Sequence, residues 1–197
     1  MIEAETNFEV IGEAADGQQA LGLILEHQPQ IAILDVTMPQ VGGFEVVSEM
    51  RQRKLPVAVI FLTMHKDKTL FNKALDLGAK GYVLKDSALD EIVDALNAVA
   101  NGQPFVSAAL SGYLVQRMDR IGLLAQQVPG LNDLTPTEKR VLKLIAQYKT
   151  SKEIAEELHI HYRTVDNHRT NISTKLGLQG SHALLKFAVE HQAELAY

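Results

Sequence analysis

The rhythm of apolar and polar positions changes about two-thirds of the way along the chain. Through residue 100, short apolar runs alternate with longer stretches at helical spacing. Residues 8–14 (FEVIGEA) predict a strand, and Asp16-Gly17 then turns the chain into a helix over 18–26. Residues 31–36 (IAILDV), bounded by Pro29 and Pro39, form a short apolar run of the kind found in strands buried on both faces. A helix over 44–53, a strand over 57–63, a helix over 68–77, a strand over 81–84 and a helix over 89–100 follow. Strands separated by helices of this length imply a parallel sheet covered by helices.

Beyond Pro104 the pattern weakens. A helix is predicted over 108–124, and QQVPGLN at 126–132 has the composition of a connector around Pro129-Gly130. After Leu134 the strand signal is gone and four helices are predicted. Thr135-Pro136-Thr137-Glu138 is a capping box with proline in the first turn, opening a helix to about residue 147. Thr150-Ser151-Lys152-Glu153 opens a second, ending near Leu158. The third spans 163–176 and is closed by Gly177; the fourth spans 181–194. The predicted organisation is an α/β domain over 1–103, a helix-containing linker over 104–133, and an all-α domain over 134–197.

Composition narrows the function classes. The chain has no cysteine, which excludes disulfides, thiolate-ligated zinc and thiol catalysis. No apolar run is long enough for a membrane span, so a soluble, cytoplasmic protein with no membrane partner is expected. The net charge of −5 argues against nucleic acid as a partner until the chain is divided. Residues 1–133 carry 10 Lys+Arg against 17 Asp+Glu, a balance of −7; residues 134–197 carry 9 against 7, a balance of +2, with five of the seven histidines. An acidic domain is joined to a mildly basic one.

In the basic domain, Ile154, Ala155 and Leu158 share one helical face, and Val165, Ile172 and Leu176 share a face of the next helix. Small Ala155 lets the two helices cross closely, and Ile160 in the tight turn between them plugs the corner. This is helix-turn-helix patterning, in which the second helix enters a major groove about one helix wide. Its outer positions, Arg163, Thr164, Asp166, Asn167, Thr170, Asn171 and Lys175, are all polar. Asn167 and Asn171 are suited to bidentate contact with adenine, while Arg163, Arg169 and Lys175 are suited to phosphates.

These segments resemble a known family. Leu134-Thr135-Pro136-Thr137-Glu138, Lys152-Glu153-Ile154-Ala155, Thr164-Val165 with His168, and Lys175-Leu176-Gly177 are similar to the LuxR-type helix-turn-helix of NarL/FixJ response regulators. The resemblance implies that the 163–176 helix reads duplex DNA and that the last helix supplies a homodimer contact through Leu184, Leu185, Ala188 and Val189. His161 stands where the family carries a Ser or Thr cap, and a weaker cap costs about 1 kcal/mol. His168 matches a structural position.

In the acidic domain Asp35, Thr63 and Lys85 each end a predicted strand, at spacings of 28 and 22 residues. Strand C-termini of a parallel sheet share one edge, so the three converge on one pocket. A carboxylate nucleophile with a hydroxyl and an ammonium to hold phosphoryl oxygens suits phosphoryl transfer. The trio resembles the receiver domain of the same response regulators, with Asp35 as phosphoacceptor, Thr63, Tyr82 and Lys85 as the phosphoryl-contact and switch residues, and a sensor histidine kinase as the implied donor. The fold implied is a flavodoxin-like receiver lacking its first strand, first helix and acidic pair.

That departure predicts a weak Mg²⁺ site with Asp35 as its remaining carboxylate, and correspondingly weak phosphorylation. In the 2-1-3-4-5 order the absent strand is interior, so segments 8–14 and 31–36 are expected to pair with each other or with another chain. The chain is expected to be a DNA-binding transcription regulator and not an enzyme; the alternative is an interaction module that heterodimerises with full-length regulators.

Overall fold

The computed structural model describes residues 7–180 and 182–195. The chain divides into two compact units, residues 1–113 and 114–197.

The first unit is a parallel sheet with helices. In order it comprises α1 (Gly17–His27), β1 (Ile31–Asp35), α2 (Gly43–Gln52), β2 (Ala58–Thr63), α3 (Lys68–Asp76), β3 (Gly81–Leu84), α4 (Ala88–Ala100) and β4 (Phe105–Val106). The strands lie in the order β1-β2-β3-β4, all parallel. Local chemistry sets the helix starts. The Asp16 carboxylate accepts from the Gln19 N–H at 2.9 Å, and the Asp67 carboxylate accepts from the Thr69 and Leu70 N–H groups at 2.7 and 2.9 Å. All four residues of β3 are buried, as its apolar run requires.

The sheet core divides by face: Phe61 and Tyr82 meet Phe44 of α2 and Phe71 of α3, whereas Ile60 and Val83 pack with Ile92, Ala95, Leu96 and Val99 of α4; Val46, Val47, Met50, Val59 and Ala74 are buried as well. Gly43 lets α2 start directly over the end of β1, since a Cβ there would overlap the Asp35 carbonyl oxygen. Arg51 ties the far end of α2 down by donating to the carbonyls of Val57, Leu77 and Gly78 at 3.3, 3.1 and 3.2 Å.

The strand predicted over 8–14 does not form. Among the described residues nothing pairs with the outer edge of β1, so this segment has no ladder to join, and a lone extended segment cannot satisfy its backbone. Phe8 still packs, half-buried, against the core cluster that holds Ile60, Val83 and Ile92, but Val10 and Ile11 are exposed. The expected mutual pairing of 8–14 with 31–36 is therefore absent. β4 is an addition that no sequence signal announced: two residues beside β3, fixed by the Phe105 N–H to the Lys80 carbonyl (2.9 Å) and the Ser107 N–H to the Tyr82 carbonyl (3.0 Å).

The connecting helix α5 runs Ser111–Gln127, three residues beyond its predicted end. The second unit then contains α6 (Pro136–Ala146), α7 (Ser151–Leu158), α8 (Tyr162–Lys175), α9 (Ala183–Glu190) and α10 (Gln192–Leu195). Both predicted capping boxes form, on Thr135/Glu138 and on Thr150/Glu153. The single last helix expected over 181–194 is broken at His191, whose carbonyl accepts from Glu194 and Leu195 to start a new turn. Ser181, its expected first residue, lies outside the described residues. The core of this unit includes Val141, Leu142, Ile145, Ile154, Val165, Ile172, Leu184 and Ala188.

Candidate DNA-reading helix and strand-end pocket

The helix-turn-helix is built from a sharp corner. His159 takes the left-handed conformation (φ 54°), ending α7, and the Ile160 N–H returns to the Ala155 carbonyl at 3.0 Å. Ile154 and Ala155 are buried, and Ile160 packs on the core beside them, as the spacing predicted. α8 then lays Val165 and Ile172 inward and leaves the other side open. Arg163, Thr164, Asp166, Asn167, Thr170, Asn171 and Lys175 are all exposed, while His168 and Arg169 are half-buried at the margin.

His161, Thr170 and Lys175 differ from the sequence picture in detail. His161 does cap α8: its Nδ1 accepts from the Arg163 N–H at 3.2 Å, doing the work of the missing Ser or Thr oxygen. The Thr170 hydroxyl donates back to the Asp166 carbonyl at 3.0 Å, so it meets a partner through its lone pairs and methyl. Lys175 is turned to its own unit, donating to the Glu138 carboxylate at 2.7 Å and to the Asp133 carbonyl at 3.1 Å.

Glu138 is the hub of that contact. Burial pushes its carboxyl up, but Lys175 and the N–H and hydroxyl of Thr135 outweigh burial and hold it below the ordinary carboxylate range. Gly130, in the turn Pro129–Leu131, is pressed against the end of α8, where a Cβ would overlap the Lys175 carbonyl oxygen. The sequence showed Glu138 as half of a capping box and gave no sign of its second partner, 37 residues away. On α9, Leu184 and Ala188 are buried in the unit's own core, and Leu185 and Val189 remain half-buried.

In the first unit, Asp35 ends β1, Thr63 ends β2, and Lys85 follows the last residue of β3. The register aligns Asp35 with Leu62 and Thr63 with Leu84, so the three stand at one edge of the sheet. Asp35 and Lys85 meet in a direct ion pair, each about one-third exposed. The other Asp35 oxygen accepts from the Thr37 N–H at 3.0 Å, and the Thr63 hydroxyl oxygen accepts from the His65 N–H at 3.1 Å. Tyr82 is fully buried between Phe61 and Phe71, with ring centroids at 6.4 and 5.3 Å. Burial pushes its phenol up, the nearby Thr63 hydroxyl offsetting part of this; the hydroxyl has no well-aligned hydrogen-bond partner. Among the described residues no group of three His, Cys, Asp or Glu side chains is placed to hold a metal.

Sequence reasoning missed one cluster beside this pocket. Glu91 on α4 accepts from the Ser107 hydroxyl, from the Ser87 hydroxyl at 2.8 Å and from the Ala108 N–H at 3.4 Å. Ser107, fully buried, in turn accepts from the Leu84 N–H at 3.0 Å, next to Lys85. Burial raises the Glu91 carboxyl, but the two hydroxyls and the amide outweigh it and lower it. A Ser-x-x-x-Glu spacing at a helix start was the only visible signal.

A strand-edge carboxylate–ammonium pair on a parallel α/β sheet, joined to a helix-turn-helix with an open polar face, defines a receiver-plus-DNA-binding class of regulator. Residues 1–97 match the response regulator receiver domain, and residues 132–188 match the bacterial regulatory proteins of the luxR family. The chain is 33% identical over 193 residues to the transcriptional regulatory protein MctR of Rhizobium johnstonii, covering 97% of this chain and 86% of MctR. It also superposes on the RcsB response regulator of Salmonella typhimurium (TM-score 0.55, 25% identity, 94% of this chain and 88% of that one). An RcsB–DNA complex aligns with TM-score 0.51 at 26% identity, over 91% of this chain and 84% of that one. The protein belongs to the NarL/FixJ family of two-component response regulators, DNA-binding transcription factors with a receiver and a LuxR-type helix-turn-helix.

Proposed function

We propose that α8 docks in the major groove of duplex DNA with Arg163, Thr164, Asp166, Asn167, Thr170 and Asn171 against base edges and phosphates. The observation that supports this is its outward face: these residues are all exposed on a helix whose opposite face is anchored by buried Val165 and Ile172. Lys175 belongs to this surface only if it leaves Glu138, so it contributes less than its charge suggests. The protein acts as a homodimer on a two-fold site, with the half-buried Leu185 and Val189 of α9 as the apolar contact. Mobility shift with duplexes selected from a random pool is the test. Binding that weakens steeply with salt is expected, and no salt-sensitive affinity for any duplex removes the assignment.

In the receiver, Asp35 takes the phosphoacceptor role, with Thr63 and Lys85 holding the phosphoryl oxygens, Tyr82 as the coupled aromatic, and a sensor histidine kinase as donor. Mg²⁺ is bound weakly, with Asp35 as its carboxylate, because the Lys85 ammonium already engages that carboxylate. Acetyl phosphate with Mg²⁺ should label Asp35 slowly; rapid, stoichiometric labelling lost in Asp35→Asn overturns this. The chain catalyses no reaction of its own on other molecules. Among the described residues no helix is long and apolar enough to cross a membrane, and a cytoplasmic location fits the DNA partner.

A second reading is favoured by the sheet edge. The Ala58 N–H bonds the Gln30 carbonyl and the Val36 N–H bonds the Leu62 carbonyl. By the alternation of a parallel ladder, the backbone groups of Ile31, Ile33 and Asp35 then face away from β2. A strand of another regulator adding there would give heterodimers. Mixing with another receiver-containing regulator and measuring heteromer mass distinguishes the two.

A further inference from the structure

The start of the reading helix carries a side-chain arrangement that the DNA-binding assignment does not use. Tyr162, the first residue of α8, is exposed, and its hydroxyl accepts a hydrogen bond from the Arg163 Nε at 3.3 Å. The guanidinium carbon of Arg163 lies 6.0 Å from the centre of the Tyr162 ring. The His161 ring lies tilted against Tyr162 with ring centroids 4.5 Å apart, and that imidazole is fixed in turn by accepting the Arg163 N–H. Arg163 makes no ion pair with Asp166 one turn along, so its charge remains free for a ligand.

We propose that Tyr162 is a positioning residue that fixes Arg163 to read a guanine, which deepens the DNA-binding assignment and rests on it. An arginine loses rotamer freedom when it binds, and a tyrosine with two side-chain torsions is a rigid anchor for it. With Nε taken by the Tyr162 hydroxyl, the guanidinium keeps its two terminal nitrogens, Nη1 and Nη2, as an end-on fork for a ligand. That end-on fork matches the O6 and N7 acceptors that guanine presents in the major groove, and it does not match adenine, which places a donor at position 6. A phosphate contact by Arg163 would need no such orientation and would carry no sequence information.

The test uses the whole chain and a duplex selected from a random pool. Binding of wild type, Tyr162→Phe, Arg163→Lys, Arg163→Ala and the Tyr162→Phe/Arg163→Ala double variant is measured on that duplex. It is repeated on duplexes carrying adenine or 7-deazaguanine at each guanine in turn. At one guanine, wild type is expected to discriminate by about tenfold or more. Arg163→Lys and Arg163→Ala lose that preference, Tyr162→Phe loses most of it with affinity for the adenine duplex unchanged, and the double variant is no worse than Arg163→Ala. Circular dichroism confirms that each variant keeps its helix content, as the exposure of Tyr162 requires. A Tyr162→Phe variant that keeps the full guanine preference overturns the proposal. So does an Arg163→Ala variant that weakens all duplexes equally with a shallower salt dependence, the mark of a phosphate contact. Failure of wild type to bind any duplex instead removes the DNA-binding assignment itself, and this proposal with it.

Discussion

Glu138 shows how one side chain serves two elements. It closes the capping box at the start of α6 and receives Lys175 from the end of α8. Its carboxyl titrates below the ordinary range in the folded protein, so it binds a proton less readily there than in the unfolded chain. The stability it confers is complete above the unfolded glutamate value of about 4.3 and is lost as pH falls through the depressed folded one. Glu138→Gln should therefore lower stability by about 1–3 kcal/mol at neutral pH and flatten the decline below about pH 4.3, as urea titrations followed by circular dichroism at several pH values would report. His161 is the complementary case. Since Asn and Ser are stronger caps than an imidazole and Ala is weaker, His161→Ala should cost about 1 kcal/mol and His161→Asn should cost nothing or stabilise slightly. Equal melting temperatures for His161→Ala and wild type would remove the capping role.

Among the elements, those whose signals are local were legible in the sequence. α6 and α7 begin where their capping boxes sit, and β3 spans the four residues of its apolar run. Elements defined by a distant partner were not. The 8–14 segment carries a strand's composition but among the described residues has nothing beside it to pair with, and β4 exists because β3 offers an edge to two residues. The pocket divides in the same way: Asp35, Thr63 and Lys85 follow from where strands end, whereas the Glu91–Ser107 contact depends on a packing that no spacing encodes. The turn before α6 illustrates what such packing demands. A methyl group on Gly130 must displace either that turn or the end of α8, so Gly130→Ala should destabilise by about 1–3 kcal/mol, read as a lower melting temperature of the second unit. An unchanged melting temperature would mean that the turn moves away freely.

At the scale of the molecule, acidic and basic residues are segregated, −7 before residue 134 and +2 after it. The acidic portion repels DNA phosphates, so the whole chain should bind a given duplex less tightly than a fragment beginning near Gln126, and the gap should narrow as salt screens it. A gap that persists at about 0.5 M salt would point to a steric cause. Among the described residues nothing pairs with the outer side of β1, and this has a consequence for handling rather than recognition. The outward-facing backbone groups of Ile31, Ile33 and Asp35 alternate along that side and form an edge on which an identical molecule can pair. Storage at high concentration should thus yield association beyond the homodimer, read by light scattering, and a particle size that does not change with concentration would remove this reading.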